Sequence, residues 1–171
     1  MKKSVLFILF FAITFSGFTQ NKNETFPNSV LGIYKGELTI NSARGIQKIS
    51  MEFHLKKTDS VHKFDYVLVY NDAPRNYTLV VKDLKNGLFE VDENNGIILP
   101  TKYFDNTLYS FFEVQGNFLS TRIEFKKDTL DFEILFTATK NKVKTGGLSK
   151  AIPEVLGFPI TTVQKAILIK Q

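Results

Sequence analysis

Along residues 33–40 apolar and polar side chains take turns. Tyr34, Gly36, Leu38 and Ile40 fall on one parity, Lys35, Glu37 and Thr39 on the other. Successive side chains of a strand point to opposite faces, so this period of two predicts a strand with one buried face. Asn41-Ser42-Ala43-Arg44-Gly45 is turn chemistry. Beyond it Ile49, Met51, Phe53 and Leu55 alternate with Lys48, Ser50, Glu52, His54 and Lys56, the cleanest strand signal in the chain. A third run over 63–70 puts Phe64, Tyr66, Leu68 and Tyr70 on one face, and the turn Asn71-Asp72-Ala73-Pro74 leads into Tyr77, Leu79 and Val81. Segments 88–91 and 97–99 flank Asp92-Glu93-Asn94-Asn95-Gly96, whose Asn-Gly pair suits a tight hairpin turn. Segments 106–114, 118–126 and 129–139 continue the series through Gln115-Gly116-Asn117 and Lys127-Asp128, and a last strand covers 161–170.

The pattern breaks between 140 and 159. Gly146, Gly147, Pro153, Gly157 and Pro159 crowd that stretch, which reads as a long loop with one helical turn over 153–156 closed by Gly157. Nine or ten strands with short local connections make an antiparallel meander. The meander must bury its apolar face, and curling into a closed barrel of about 8–10 strands does so while removing exposed edges; a β-sandwich is the alternative. The last strand would close the barrel against the first.

The N-terminus reads differently. Met1-Lys2-Lys3-Ser4 precedes an apolar run over 5–15, relieved only by Thr14, and then Ser16-Gly17-Phe18-Thr19-Gln20. A basic start, an apolar middle and small residues at the end predict a secretory signal peptide over 1–19, cut just before Gln20; the run is too short for a span of about 20 apolar residues. The expected organisation is therefore a leader, a polar lead over 20–30, and a single barrel domain over 31–171, exported to the periplasm or the exterior with no stable membrane insertion after cleavage.

Composition fits this picture. Of 171 residues 43% are hydrophobic and 13% aromatic, with 17 Phe, 6 Tyr and no Cys. Aromatic richness favours strands. Without cysteine there are no disulfides, thiolate metal sites or cysteine nucleophiles. Loss of Lys2 and Lys3 with the leader takes the formal charge from +5 to +3, leaving 20 basic side chains against 17 acidic ones. No basic block is long enough for a nucleic-acid footprint.

Gly32-x-Tyr34 opening the first strand of an exported meander resembles the start of the calycin group, the lipocalins and their barrel relatives, where the first strand carries Gly-x-Trp. Tyr34 takes the Trp position; the group's later Thr-Asp-Tyr signature and terminal arginine motif have no counterpart. The resemblance implies a barrel with an internal pocket and fixes no ligand.

Candidate chemistry is sparse. Glu52 and His54 share the polar face of one strand, but two neighbouring ligands without a third fall short of a metal or acid/base site. Asp92-x-Asn94-x-Gly96 has the oxygen spacing of a calcium loop, yet the closing acid would be Lys102. Thr145-Gly146-Gly147 lies among Lys140, Lys142, Lys144 and Lys150 without the strand-loop-helix order of a phosphate loop. Asp131 and Glu133 alternate with apolar neighbours as an outer face would, and no nucleophile elbow occurs. The expectation is a barrel that is not an enzyme, carries no cofactor, and binds a small, largely apolar molecule through the inward set Tyr34, Leu38, Met51, Phe53, Tyr66, Leu68, Phe112, Phe132 and Ile134. Lys165 shares a parity with Val163, Ile167 and Ile169, so it either lies along an apolar outer surface or points inward at a ligand's negative group. The alternative is an exported interaction protein with a solid core that meets a protein partner through 140–159.

Overall fold

The computed structural model describes residues 25–171. The leader and its cleavage position near Gln20 lie outside the described residues. After a 3-10 turn at Asn28–Val30 the chain forms β1 (Gly32–Ser42), β2 (Gly45–Lys57), β3 (Lys63–Tyr70), β4 (Ala73–Asp83), β5 (Leu88–Asp92) and β6 (Ile98–Phe104). It continues through β7 (Thr107–Val114), β8 (Asn117–Phe125), β9 (Thr129–Ala138), β10 (Val143–Ser149), β11 (Ile152–Gly157) and β12 (Thr162–Lys170). Ten of these strands close an antiparallel barrel in the order β1-β12-β9-β8-β7-β6-β5-β4-β3-β2. The all-β class and the barrel closure are those the alternation predicts, with β12 joining β9 to β1. β10 and β11 stand apart as a two-stranded sheet.

Register follows the apolar parity. Tyr34 faces Phe53, Phe53 faces Leu68 and Leu68 faces Arg75, so each of these rows turns the same side of the wall inward. A one-residue slip would move every apolar side chain of a strand to water, which is why the pairing is specified so strongly. Tight turns fix it locally: Asn71 and Asp72 both have positive φ (46° and 64°), the geometry of a two-residue hairpin whose twist matches the strands. Gly36 is demanded by close approach, because a Cβ there would lie 2.6 Å from the Ile167 carbonyl oxygen on β12.

The two ends of the barrel differ. The chain enters at the end bearing the β2–β3, β4–β5, β6–β7 and β8–β9 connections, and that end is plugged. Phe26, only 4% exposed, stacks on Tyr103 at 3.9 Å between centroids and meets Phe89 at 5.1 Å and Phe125 at 5.6 Å. Tyr34 closes the same end: its hydroxyl donates to the Val30 carbonyl at 2.8 Å, and Lys170 lies 5.7 Å from its ring centroid. Tyr34, Leu38, Met51, Phe53, Leu55, Leu79, Leu130 and Leu168 fill the space above the plug and are fully buried.

Three expectations are corrected here. Segment 140–159 is an extended hairpin entered through a 3-10 turn at Thr139–Asn141, and residues 153–156 lie in β11 rather than in a helical turn; Gly146 and Gly147, at φ 72° and 71°, sit where the β10–β11 register shifts. Residues 100–104, beyond the segment 97–99 read from sequence, belong to β6: Pro100 keeps its register opposite Glu90 while Thr101 is buried in the barrel wall. Phe26, counted in a polar lead, is a core residue, because a single aromatic between polar neighbours has no period to reveal it.

Candidate functional site

The aromatic column that starts at Phe26 continues through Phe125 and Phe53 to Tyr66, whose ring meets Phe53 edge-on at 5.0 Å. Above Tyr66 the column ends and a cavity of about 240 Å³ begins, bounded by Tyr66, Leu68, Tyr70, Arg75, Tyr77, Val91, Glu93, Leu99, Phe112, Val114, Leu119, Thr121, Ile123, Phe132 and Ile134. It opens at the end that carries the β3–β4, β5–β6 and β7–β8 turns, since Arg75, Glu93 and Val114 are strand-end residues next to those turns. Larger depressions of about 490 and 540 Å³ lie on the outer wall. The inner cavity is the site because its walls are aromatic and aliphatic side chains converging from seven strands, the form small-molecule sites take.

β3 and β4 supply its polar side. Tyr66 faces Tyr77 directly across the pair, with ring centroids 6.3 Å apart. Tyr70, four residues along, turns the same way, and the Arg75 guanidinium lies 5.3 Å from its ring centroid, a cation–π contact that holds both at the rim. Burial, followed by the neighbouring Tyr70 and Tyr77 hydroxyls, holds the Tyr66 phenol far above its ordinary range. Burial also pushes Tyr70 up to about 12, and Arg75 only partly offsets it. Both therefore remain protonated donors at neutral pH. Arg75 and Glu93 are the charged groups of the lining, and their signs oppose.

The ten expected binding residues divide into three groups. Tyr66, Leu68, Phe112, Phe132 and Ile134 line the cavity. Tyr34, Leu38, Met51 and Phe53 point inward but belong to the solid core between cavity and plug. Lys165 is outside: it is exposed on the outer wall and pairs with Glu133 at 2.8 Å, so the inward alternative is excluded. The reason is register, since Lys165 sits opposite Thr39 and Glu133 while its flanking residues Ala166 and Gln164 turn inward with Leu38 and Ile134. Ile167 and Ile169, on its parity, are exposed as well.

Sequence reasoning passed over Arg75, Tyr77 and Glu93 as site residues. The turn read over Asn71-Asp72-Ala73-Pro74 in fact ends at Asp72, so Arg75 lies within β4 rather than ahead of the apolar row, and Glu93 falls in the hairpin loop. The available signal was parity: Arg75, Tyr77 and Leu79 form one alternating row once β4 is allowed to begin at Ala73. The other candidates are outer-wall features. His54 and Glu52 are hydrogen-bonded at 2.7 Å, with Lys35 on the second Glu52 oxygen at 2.7 Å. Asp92 and Asn95 accept backbone N–H groups of Asn94 and Ile97 at 2.8 and 2.9 Å, which makes the loop before β6 self-contained. Comparison with known proteins finds no matching family model and no matching curated relative.

Proposed function

We propose that this chain is an exported, calycin-like barrel that binds a small, largely apolar molecule in its upper cavity and performs no chemistry on it. The observation that carries the reading is the abrupt end of the packed aromatic column at Tyr66. Interiors pack nearly without voids, so a space of about 240 Å³ left inside the barrel wall above Tyr66 is one its packing does not require. At about 240 Å³ the space exceeds the ~150 Å³ cavity that takes up benzene and falls below the ~300 Å³ at which drug-sized sites begin. The expected occupant is one ring with a short substituent, or a branched chain of similar bulk.

A thermal-shift series with such compounds tests this. Binding to the folded state alone stabilises it by about 2.7 kcal/mol at a hundredfold excess over Kd. Phe112→Trp, which fills the cavity from β7, should keep the fold and lose the shift. Melting temperatures unmoved by every ring compound of suitable size would refute the reading.

A second reading rests on a different observation. The β10–β11 hairpin is exposed throughout and carries Val143, Leu148, Ile152, Val155 and Leu156, with Leu148 88% exposed at its tip. An isolated hairpin showing apolar side chains to water suits a protein partner, as the alternative to ligand binding supposes. Deleting it would then abolish partner capture and leave ring-compound binding intact.

A further inference from the structure

Tyr66 is the deepest polar side chain on the cavity wall, 6% exposed. The Tyr34 hydroxyl at the plugged end has a protein acceptor, Val30, and the more exposed Tyr103 hydroxyl has Asn106. The Tyr66 hydroxyl has none among the described residues. Nor is it walled in: Thr137 Oγ1 is the one fully enclosed side-chain oxygen or nitrogen lacking a partner among the described residues, so the Tyr66 oxygen meets the free space of the cavity. A buried donor without a partner is costly, and an occupant that displaces water from it must replace the lost hydrogen bond. An occupant with no acceptor leaves the donor bare. The cavity therefore discriminates by chemistry as well as by size.

Charge narrows the class. Arg75 and Glu93, both near the mouth and of opposite sign, are the charged groups of the lining; no cation reaches the depth of Tyr66. An ionised carboxylate seated there would be desolvated without a counter-charge, which is far more expensive than burying a neutral carbonyl. Resting on the proposal that the cavity binds a ligand, we infer that the ligand is a compact, uncharged ring compound carrying a carbonyl oxygen, and that this oxygen accepts a hydrogen bond from the Tyr66 hydroxyl. The phenol is suited to the task because its burial keeps it protonated over the whole physiological range. Tyr70, under the Arg75 guanidinium, lies nearer the opening and the half-buried Tyr77 lies across from Tyr66, and both would orient the substituent.

The experiment compares acetophenone, ethylbenzene and benzoate by NMR titration of the full-length mature protein and of Tyr66→Phe, with melting curves confirming that both are folded. Acetophenone should weaken about five- to tenfold on Tyr66→Phe, the equivalent of one net hydrogen bond, while ethylbenzene is unchanged or tightens. Benzoate should bind the wild type at least tenfold more weakly than acetophenone. Independently of any variant, the carbonyl carbon resonance of labelled acetophenone should move downfield on the wild type, as a hydrogen-bonded carbonyl does. If Tyr66→Phe affects acetophenone and ethylbenzene equally, or if benzoate binds most tightly, the inference fails while the binding cavity stands. If none of the three binds the wild type, the cavity reading fails with it.

Discussion

Replacing Phe26 by Ala separates a structural plug from a passive lead. The ring is almost wholly buried, stacked on Tyr103 at 3.9 Å with Phe89 and Phe125 on its other sides. Loss of a buried Phe side chain costs its transfer free energy plus the cavity left behind, about 3–5 kcal/mol. The wall around Phe26 consists of strand residues held by ladder hydrogen bonds on both sides, so it has little freedom to collapse, and the upper part of that range applies. With a urea slope of about 2 kcal/mol per molar for a domain of this size, the midpoint should fall by ~2–2.5 M with no change in slope. Equilibrium urea unfolding followed by far-ultraviolet circular dichroism measures it. The cavity lies at the opposite end, so ligand affinity should stay within a factor of two. A midpoint drop below about 0.5 M would refute the plug and return Phe26 to the role of an exposed lead residue.

Lys165→Met should change stability by less than about 1 kcal/mol by the same unfolding assay, since its partner Glu133 sits with it on the solvated outer wall. The Glu52 carboxyl is held below the ordinary carboxylate range by Lys35 first and then by His54. Its stabilisation is thus present above the unfolded value near pH 4.3 and lost as pH falls through the lower folded one, so Glu52→Gln should be destabilised at pH 7 and match the wild type once pH is below that folded value. Tyr66 and Tyr70 have raised folded values, so the stability they confer is intact below about pH 10 and lost as pH rises toward their folded values. Phenolate absorbance should accordingly show Tyr70 ionising near 12 and Tyr66 ionising only on alkaline unfolding. Replacing residues 143–157 by a short Gly-Ser link should leave the melting temperature within a few degrees, because β10 and β11 pair only with each other.

Strand existence and facing were legible wherever one face is buried and the other charged, as at 49–56, because period two then has only one solution. Closure was legible from the shortness of the connections. Lys165 was ambiguous because β12 shows apolar residues on both faces, and only its pairing with Glu133 on β9 decides which is outside. Phe26 and Arg75 were missed for a shared reason: each contributes to the interior from a position whose neighbours look like lead or turn, so local pattern assigns it to the surface. The division between solid core and cavity was not legible at all. Tyr34, Phe53, Tyr66 and Phe132 carry the same inward parity, and which of them face empty space depends on how side chains from opposite walls meet across the axis.

The most direct test of the account is a crystal of the mature protein soaked in bromobenzene and measured at the bromine absorption edge. The account predicts one anomalous peak inside the barrel, above Tyr66 and between Leu99 and Phe132, absent from an equally soaked Phe112→Trp crystal. Bromine density confined to the exposed β10–β11 hairpin or the outer wall, with the interior empty, would contradict it.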